Sequence, residues 1–300
     1  MCVIGAGAIG SLIAAHVAKI APVAVLTRRA DHAFALREYG LRVSGLSTFT
    51  AEVRAATSIV DDLPSFDIGI VATKATEVES AARALEGRFQ DTLLVTIQNG
   101  LGAEARLRRH GPWPIVAGTT LMGGTRHDDT HVEYELDAPT WLGPYDGVPL
   151  ERVTEVAALL ERAGLKAEAF PDVRPAQWSK LVFNSAVGTI SAITGLPHSR
   201  PFADDEELGG LVRSVISEGV RVAAAEGIEL QEDPWTLNVR TVHDGYSHPP
   251  SILLDVRARR RTEADFNIGA IVRTAERLGV AAPLSTTLYR LLKAKETAYA

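Results

Sequence analysis

The chain has 300 residues, 46% of them hydrophobic and 23% charged, with a formal charge of −6. That is about twice the usual domain size, too apolar for a disordered polymer, and long enough for two domains or one large α/β domain. The acidic balance argues against a protein that lives on nucleic acid or on an anionic membrane. The single cysteine, Cys2, excludes intramolecular disulfides and CxxC zinc sites and favours a reducing, cytoplasmic setting.

Met1 to Ile20 is apolar, yet it lacks a basic leader and contains Gly5, Gly7, Gly10, His16 and Lys19, so it reads as a folded element and not as a signal or a membrane span. Only Cys2, Val3 and Ile4 separate Met1 from Gly5, so the true start is expected a few codons upstream. Short β-branched runs then alternate with helical stretches, the α/β pattern. A helix is expected from the glycines through about Lys19, and strands at Val23–Leu26, Asp67–Thr73, Thr92–Ile97 and Pro114–Ala117. His131–Leu136 and Thr140–Gly143 alternate like an antiparallel hairpin, Leu150–Ala163 reads as a helix, and Leu165–Phe170 as a closing strand. From Trp178 onwards apolar residues recur at helical spacing, and the absence of proline from Ser251 to Gly279 predicts one long helix. The expected architecture is a Rossmann-type dinucleotide-binding domain over residues 1–172, followed by a mostly α-helical substrate and catalytic domain over 173–300.

Gly5-x-Gly7-x-x-Gly10 follows a strand and opens a helix, the context that gives this pattern meaning. Its residues Gly5, Ala6, Gly7, Ala8, Ile9 and Gly10 would form a tight turn, let backbone approach a pyrophosphate at a helix amino terminus, and permit close helix–strand packing. At the end of the second strand, where an NAD enzyme offers a carboxylate to the ribose hydroxyls, stand Thr27, Arg28 and Arg29. Two guanidiniums with no acid beside them suit a 2′-phosphate and so NADP(H), although a surface arginine pair is the alternative. Lys74 and Asn99-Gly100 end apolar strands, where ligands bind in open α/β sheets; alone, the first reads as a snorkelling lysine and the second as a turn.

Only six of the 31 basic residues are lysines, so a lysine in apolar sequence draws notice, because arginine does not release a proton near neutrality. Lys180 and Asn184 are four apart on one helical face; taken singly, Lys180 reads as a snorkelling surface residue. Glu263, after the run Arg257 to Arg261, reads by itself as an exposed ion-pair partner of those arginines.

In combination these features resemble a family. The glycine motif, the arginine after the second strand, Thr73-Lys74, Gln98-Asn99-Gly100, Gly118-Thr119-Thr120, Trp178-x-Lys180-Leu-x-x-Asn184, Ser251-Ile-Leu-Leu-Asp255 and Arg260-x-Thr-Glu263 follow in the order seen in 2-dehydropantoate 2-reductases, the ketopantoate reductases, over essentially the whole chain. The resemblance implies NADPH-dependent reduction of a 2-oxo acid, first of all 2-dehydropantoate to pantoate in pantothenate biosynthesis. It implies that Lys180 protonates the ketone oxygen and that Glu263 orients the reacting groups and binds a substrate hydroxyl. Ser251 would hold the carboxylate end, while Asn99 and Asn184 position cofactor and substrate. The cofactor set is then Gly5 to Gly10, Arg28, Lys74, Asn99 and Glu263; the partner is a small 2-oxo acid, with no nucleic acid, membrane or metal, and a homodimer is left open.

Two positions depart from the family pattern. Gly188 stands where many relatives carry a second asparagine, and the usual Ile-Asn-Gly appears as Asn267-Ile268-Gly269, which on a continuous helix turns the amide by about 100°. Both would leave the far end of the pocket poorer in polar groups and roomier. A paralogous reductase of a different carbonyl compound is therefore the nearest rival, and a dinucleotide-binding sensor without catalysis a more distant one.

Overall fold

The computed structural model describes residues 1–57, 65–243 and 249–299. The chain divides into two units, Met1–Gln98 with Gly102–Val173, and Asn99–Leu101 with Arg174–Ala300.

In the first unit, strands β1 (Cys2–Ile4), β2 (Ala24–Leu26), β3 (Leu41–Gly45), β4 (Phe49–Ala51), β5 (Arg54–Ala56), β6 (Ile68–Val71), β7 (Leu93–Thr96), β8 (Ile115–Thr120), β9 (Gly123–Arg126), β10 (His131–Leu136), β11 (Thr140–Tyr145) and β12 (Ala167–Ala169) form two sheets. The larger has the order β12-β11-β8-β7-β6-β1-β2-β5 and the smaller the order β4-β3-β10-β9. From β5 to β8 the large sheet is parallel, and β11 then runs antiparallel to β8. The parallel strands are buried on both faces, which is why they read as unbroken apolar runs. Val3, Val25, Ile70 and Val95 face one core with helices α1 (Ala8–Ala18) and α5 (Leu150–Arg162). Their neighbours Cys2, Ile4, Leu26, Val71 and Leu94 face the other, with α3 (Val78–Leu85) and α4 (Ala103–Arg108). Helix α2 (Ala30–Tyr39) and β3 to β5, which the sequence reading passed over, complete the unit.

The expected hairpin is not formed. β10 pairs with β3 and β9, whereas β11 pairs with β8 and β12 in the other sheet. The chain changes sheets at Asp137–Pro139, and Thr140 to Gly143 are buried without alternation, as befits an inner strand.

The second unit is helical: α6 (Arg174–Thr194), α7 (Pro201–Asp204), α8 (Glu206–Ala225), α9 (Pro234–His243), α10 (Ser251–Arg257), α11 (Ile268–Leu278) and α12 (Pro283–Thr297). α6 lies at its centre, in contact with α8 to α12. Leu181, Val182, Val187 and Ile190 from α6 join Val212, Val215 and Ile216 from α8 in one core. The buried Glu218 carboxylate accepts from Leu284 N–H, Ser285 N–H and the Ser285 hydroxyl at 2.8–3.0 Å and so caps α12.

The long helix expected after Ser251 is two helices. At Arg259 the backbone turns left-handed, with φ +51°, and Arg260 N–H donates back to Asp255 O at 2.8 Å. The arginine run is spent internally: Arg257 on Gly195 O, Arg259 on Ala298 O, Arg260 on Asp255 and Arg261 on Asp265. Among the described residues no helix is long and apolar enough to cross a membrane.

Candidate active site

In the first unit, two of the three motif glycines are demanded by the fold. Gly5 has φ +107° and a Cβ there would lie 2.8 Å from Thr73 N, while a Cβ on Gly10 would lie 2.0 Å from Gly5 O. Gly7 differs: its φ is −77°, it is exposed, and a Cβ would meet nothing within 4 Å. Neither conformation nor packing requires glycine there; it is the N-cap of α1, a place that favours glycine, and it leaves room for a ligand to approach the backbone. α1, which starts at Ala8, has no side-chain cap and no acidic residue in its first turn, so its leading N–H groups suit a phosphate. Gln98 Nε2 ties the end of β7 to β6 by donating to Val71 O and Thr73 O. Among the described residues, Thr73 Oγ1 and Gln98 Oε1 are buried with no hydrogen-bond partner. An open glycine, uncapped amides and orphaned polar atoms at adjacent strand ends fit a dinucleotide.

The corner after β2 is not free of acid, contrary to the sequence expectation. Arg28 Nη1 pairs with Glu77 Oε2 at 2.8 Å, and Arg29 pairs with Asp129 and, at 3.6 Å, with Asp31. Glu77 comes from the turn after β6 and Asp129 from the β9–β10 connection, both distant in sequence. The Arg28 side chain is still 81% exposed and able to turn to another anion. Lys74 is exposed and immediately precedes that turn.

The second unit gathers Asn99, Lys180 and Glu263. Asn99 follows β7 in the chain but belongs here: Leu101 N–H donates to Phe266 O at 3.0 Å, and Gly100, with φ +87°, passes so close that a Cβ would lie 2.2 Å from the same oxygen. Lys180 Nζ donates to Asn99 Oδ1 at 2.7 Å. Lys180 is 8% exposed, and burial pushes its ammonium down from the usual 10.5 to about 8, against the pull of the Glu263 carboxylate. Lys180 is therefore no snorkelling residue. Glu263 is 7% exposed and sits in the turn between α10 and α11, so the expectation of an exposed partner for the arginines is also corrected.

Asn184 lies one turn beyond Lys180 on α6 and is half-buried, and Ser251 is the exposed first residue of α10, which packs on α6. Gly188 does not open a space. A Cβ there would come within 2.9 Å of Ile252 Cγ2, so hydrocarbon from α10 already stands against that position. Nor is Asn267 turned along a helix from Glu263, because α11 begins only at Ile268; Ile268 is fully buried, and among the described residues Asn267 Oδ1 is buried without a partner. Sequence reasoning missed Tyr289 and Glu296, which bond to Asp265 and Thr262 on either side of Glu263 in the chain; the Lys293–Glu296 spacing on one helix was the available signal.

A doubly wound, mostly parallel sheet with a glycine turn at β1, and a helical unit with a buried lysine, define the class of two-domain dinucleotide-dependent oxidoreductases. Residues 1–147 match the family model described as ketopantoate reductase PanE/ApbA, and residues 172–296 match its C-terminal counterpart. The 2-dehydropantoate 2-reductase of Pyrococcus horikoshii is 32% identical over 295 residues, covering 98% of this chain and 97% of the relative. The crystal structure of a PanE/ApbA family ketopantoate reductase from Ralstonia eutropha JMP134 superposes with a TM-score of 0.88 at 26% identity, covering 100% and 99% of the two chains. A D-mandelate dehydrogenase solved with NADH and anilino(oxo)acetate shares the fold, with a TM-score of 0.91 at 23% identity and coverage of 100% and 99%. The chain belongs to the ketopantoate reductase family of oxidoreductases.

Proposed function

We propose that the protein is an NADPH-dependent reductase that converts a 2-oxo acid to the 2-hydroxy acid, with 2-dehydropantoate the first candidate substrate. The observation that carries this reading is the buried Lys180 ammonium, aimed by Asn99 and acted on by Glu263. Reduced nicotinamide, when bound, supplies the hydride. With a pKa of about 8, Lys180 is protonated at neutral pH yet able to release its proton to a carbonyl oxygen on which charge develops. Glu263 favours the charged ammonium before transfer. Asn99 accepts one of its protons and fixes its direction. Arginine in that place would stabilise the oxyanion without protonating it. A non-catalytic sensor would gain nothing from burying this charge. Gly7 and Arg28 support the NADP(H) reading, with Glu77 competing for Arg28, so the preference over NADH is expected at about 10-fold.

A second reading, a reductase of a more apolar 2-oxo acid, is favoured by Ile252 against Gly188. NADPH oxidation followed near ~340 nm, the reduced-nicotinamide band, with ketopantoate, 2-oxoisovalerate and larger apolar 2-oxo acids separates the two. Ketopantoate preferred by orders of magnitude establishes the first reading, and preference for the apolar acids the second. Lys180→Arg is expected to lose about 10²- to 10⁴-fold in turnover with cofactor binding retained. NADPH binding without oxidation by any 2-oxo acid would overturn both.

A further inference from the structure

The backbone on both sides of Glu263 is held from a single helix. Thr262, fully buried, donates to Glu296 Oε1 through its N–H at 2.9 Å and through its hydroxyl, and the same hydroxyl accepts from Ala264 N–H at 3.1 Å. Asp265 accepts from the Tyr289 hydroxyl at 2.7 Å and from Lys293 Nζ at 3.2 Å. Lys293 also reaches Glu296 Oε2 at 2.7 Å, closing the network. Arg261 and Arg273 complete it, the first on the Asp265 carboxylate and the second on Asp265 O. Tyr289, Lys293 and Glu296 are all on α12.

The same helix holds the other half of the pair. Lys295 Nζ donates to Ala192 O at 2.9 Å and to Ile193 O at 3.3 Å, the last-turn carbonyls of α6, the helix that carries Lys180. α12 is itself anchored at its start by Glu218. For packing alone, Leu288 and Leu292 would suffice. A part-buried network of charges and hydroxyls adds little net stability but fixes one geometry.

We infer that Tyr289, Lys293 and Glu296 are positioning residues for Glu263, and Lys295 for the helix bearing Lys180, so that α12 sets the spacing between the two groups. The inference deepens the function proposed above and rests on it for the catalytic meaning of the pair; the placement of the two groups can be measured in the apo protein. Of the groups around Lys180, Glu263 supplies the charge that acts on it and Asn99 is neutral.

The chain has only six lysines, so ε-¹³C-lysine NMR of the apo protein yields a resolvable set, with Lys180 assigned by Lys180→Met. In Tyr289→Phe and Glu296→Gln the Glu263 carboxylate is released from its place. The Lys180 titration midpoint is then expected to move to lower pH by about half a pH unit or more. kcat should fall about 10-fold. Lys293→Arg, which keeps the charge between Asp265 and Glu296, should retain most of the unaltered behaviour. If Glu296→Gln does not fold, Tyr289→Phe, which removes one hydroxyl, decides alone. An unmoved Lys180 midpoint and unmoved kcat in folded variants with lowered Tm would overturn the inference and leave α12 a packing element. A moved midpoint in a protein that reduces no 2-oxo acid would instead uphold the positioning and reject the reductase reading.

Discussion

In the unfolded chain Lys180 stays protonated up to its usual 10.5, and in the folded chain only up to about 8, so between those values the unfolded state binds more protons and stability rises with pH. Below about 8 both states carry the charge, and its burial there costs on the order of 3 kcal/mol. Lys180→Met is therefore expected to raise stability at pH 7 by about 1–3 kcal/mol, an advantage that shrinks as pH rises from 8 towards 10.5. Urea unfolding at pH 7 and pH 10 checks it, and a Met variant less stable than the unaltered protein at pH 7 would contradict the assignment. Gly7 gives the converse case. With nothing within 4 Å of its Cβ position and an ordinary φ, Gly7→Ala should leave Tm nearly unchanged while weakening NADPH binding about 10-fold, read by fluorescence titration. An unchanged affinity would mean that no ligand backbone approach is needed there.

At the scale of elements, the α6–α10 contact turns on one residue. Gly188→Asn would drive its Cβ into Ile252 Cγ2, so it is expected to destabilise by about 1–3 kcal/mol, and Ile252→Ala in the same chain should recover part of the loss. Thermal unfolding of the two single variants and the double variant measures this, and additive losses would refute direct contact. The sequence alone made Gly188 a gap, because the hydrocarbon that fills it comes from a helix 64 positions away. The break between α10 and α11 was equally hidden. It is made by Arg259 at φ +51° and by Thr262 bonded to Glu296, with neither proline nor glycine to mark it. The glycine turn and the strands β1, β2, β6, β7 and β8 of the parallel sheet were legible because turn chemistry and apolar runs are local, whereas the short edge strand β5, Arg54–Ala56, was not. The Glu77 and Asp129 partners of Arg28 and Arg29, and the Lys180 that faces Glu263, were not, since each is brought by an element remote in the chain.

For the whole molecule, the passage from a β-rich unit to a helical one could be read because the two follow one another in sequence, with one exception. Asn99 to Leu101 lie in the β-rich half of the sequence and belong to the helical unit. Nothing in Gln98-Asn99-Gly100 announces this, because the reason is a backbone contact with Phe266, and it makes that unit discontinuous. The bond from Lys180 to Asn99 spans 81 positions, so a long loop must close before it forms. A contact of such range, around a charge whose burial is unfavourable until its partners are in place, belongs on the late side of the folding barrier. The cost of the buried lysine then falls on how long the native state lasts and not on how fast it is reached: Lys180→Met should slow unfolding and leave the folding rate almost untouched.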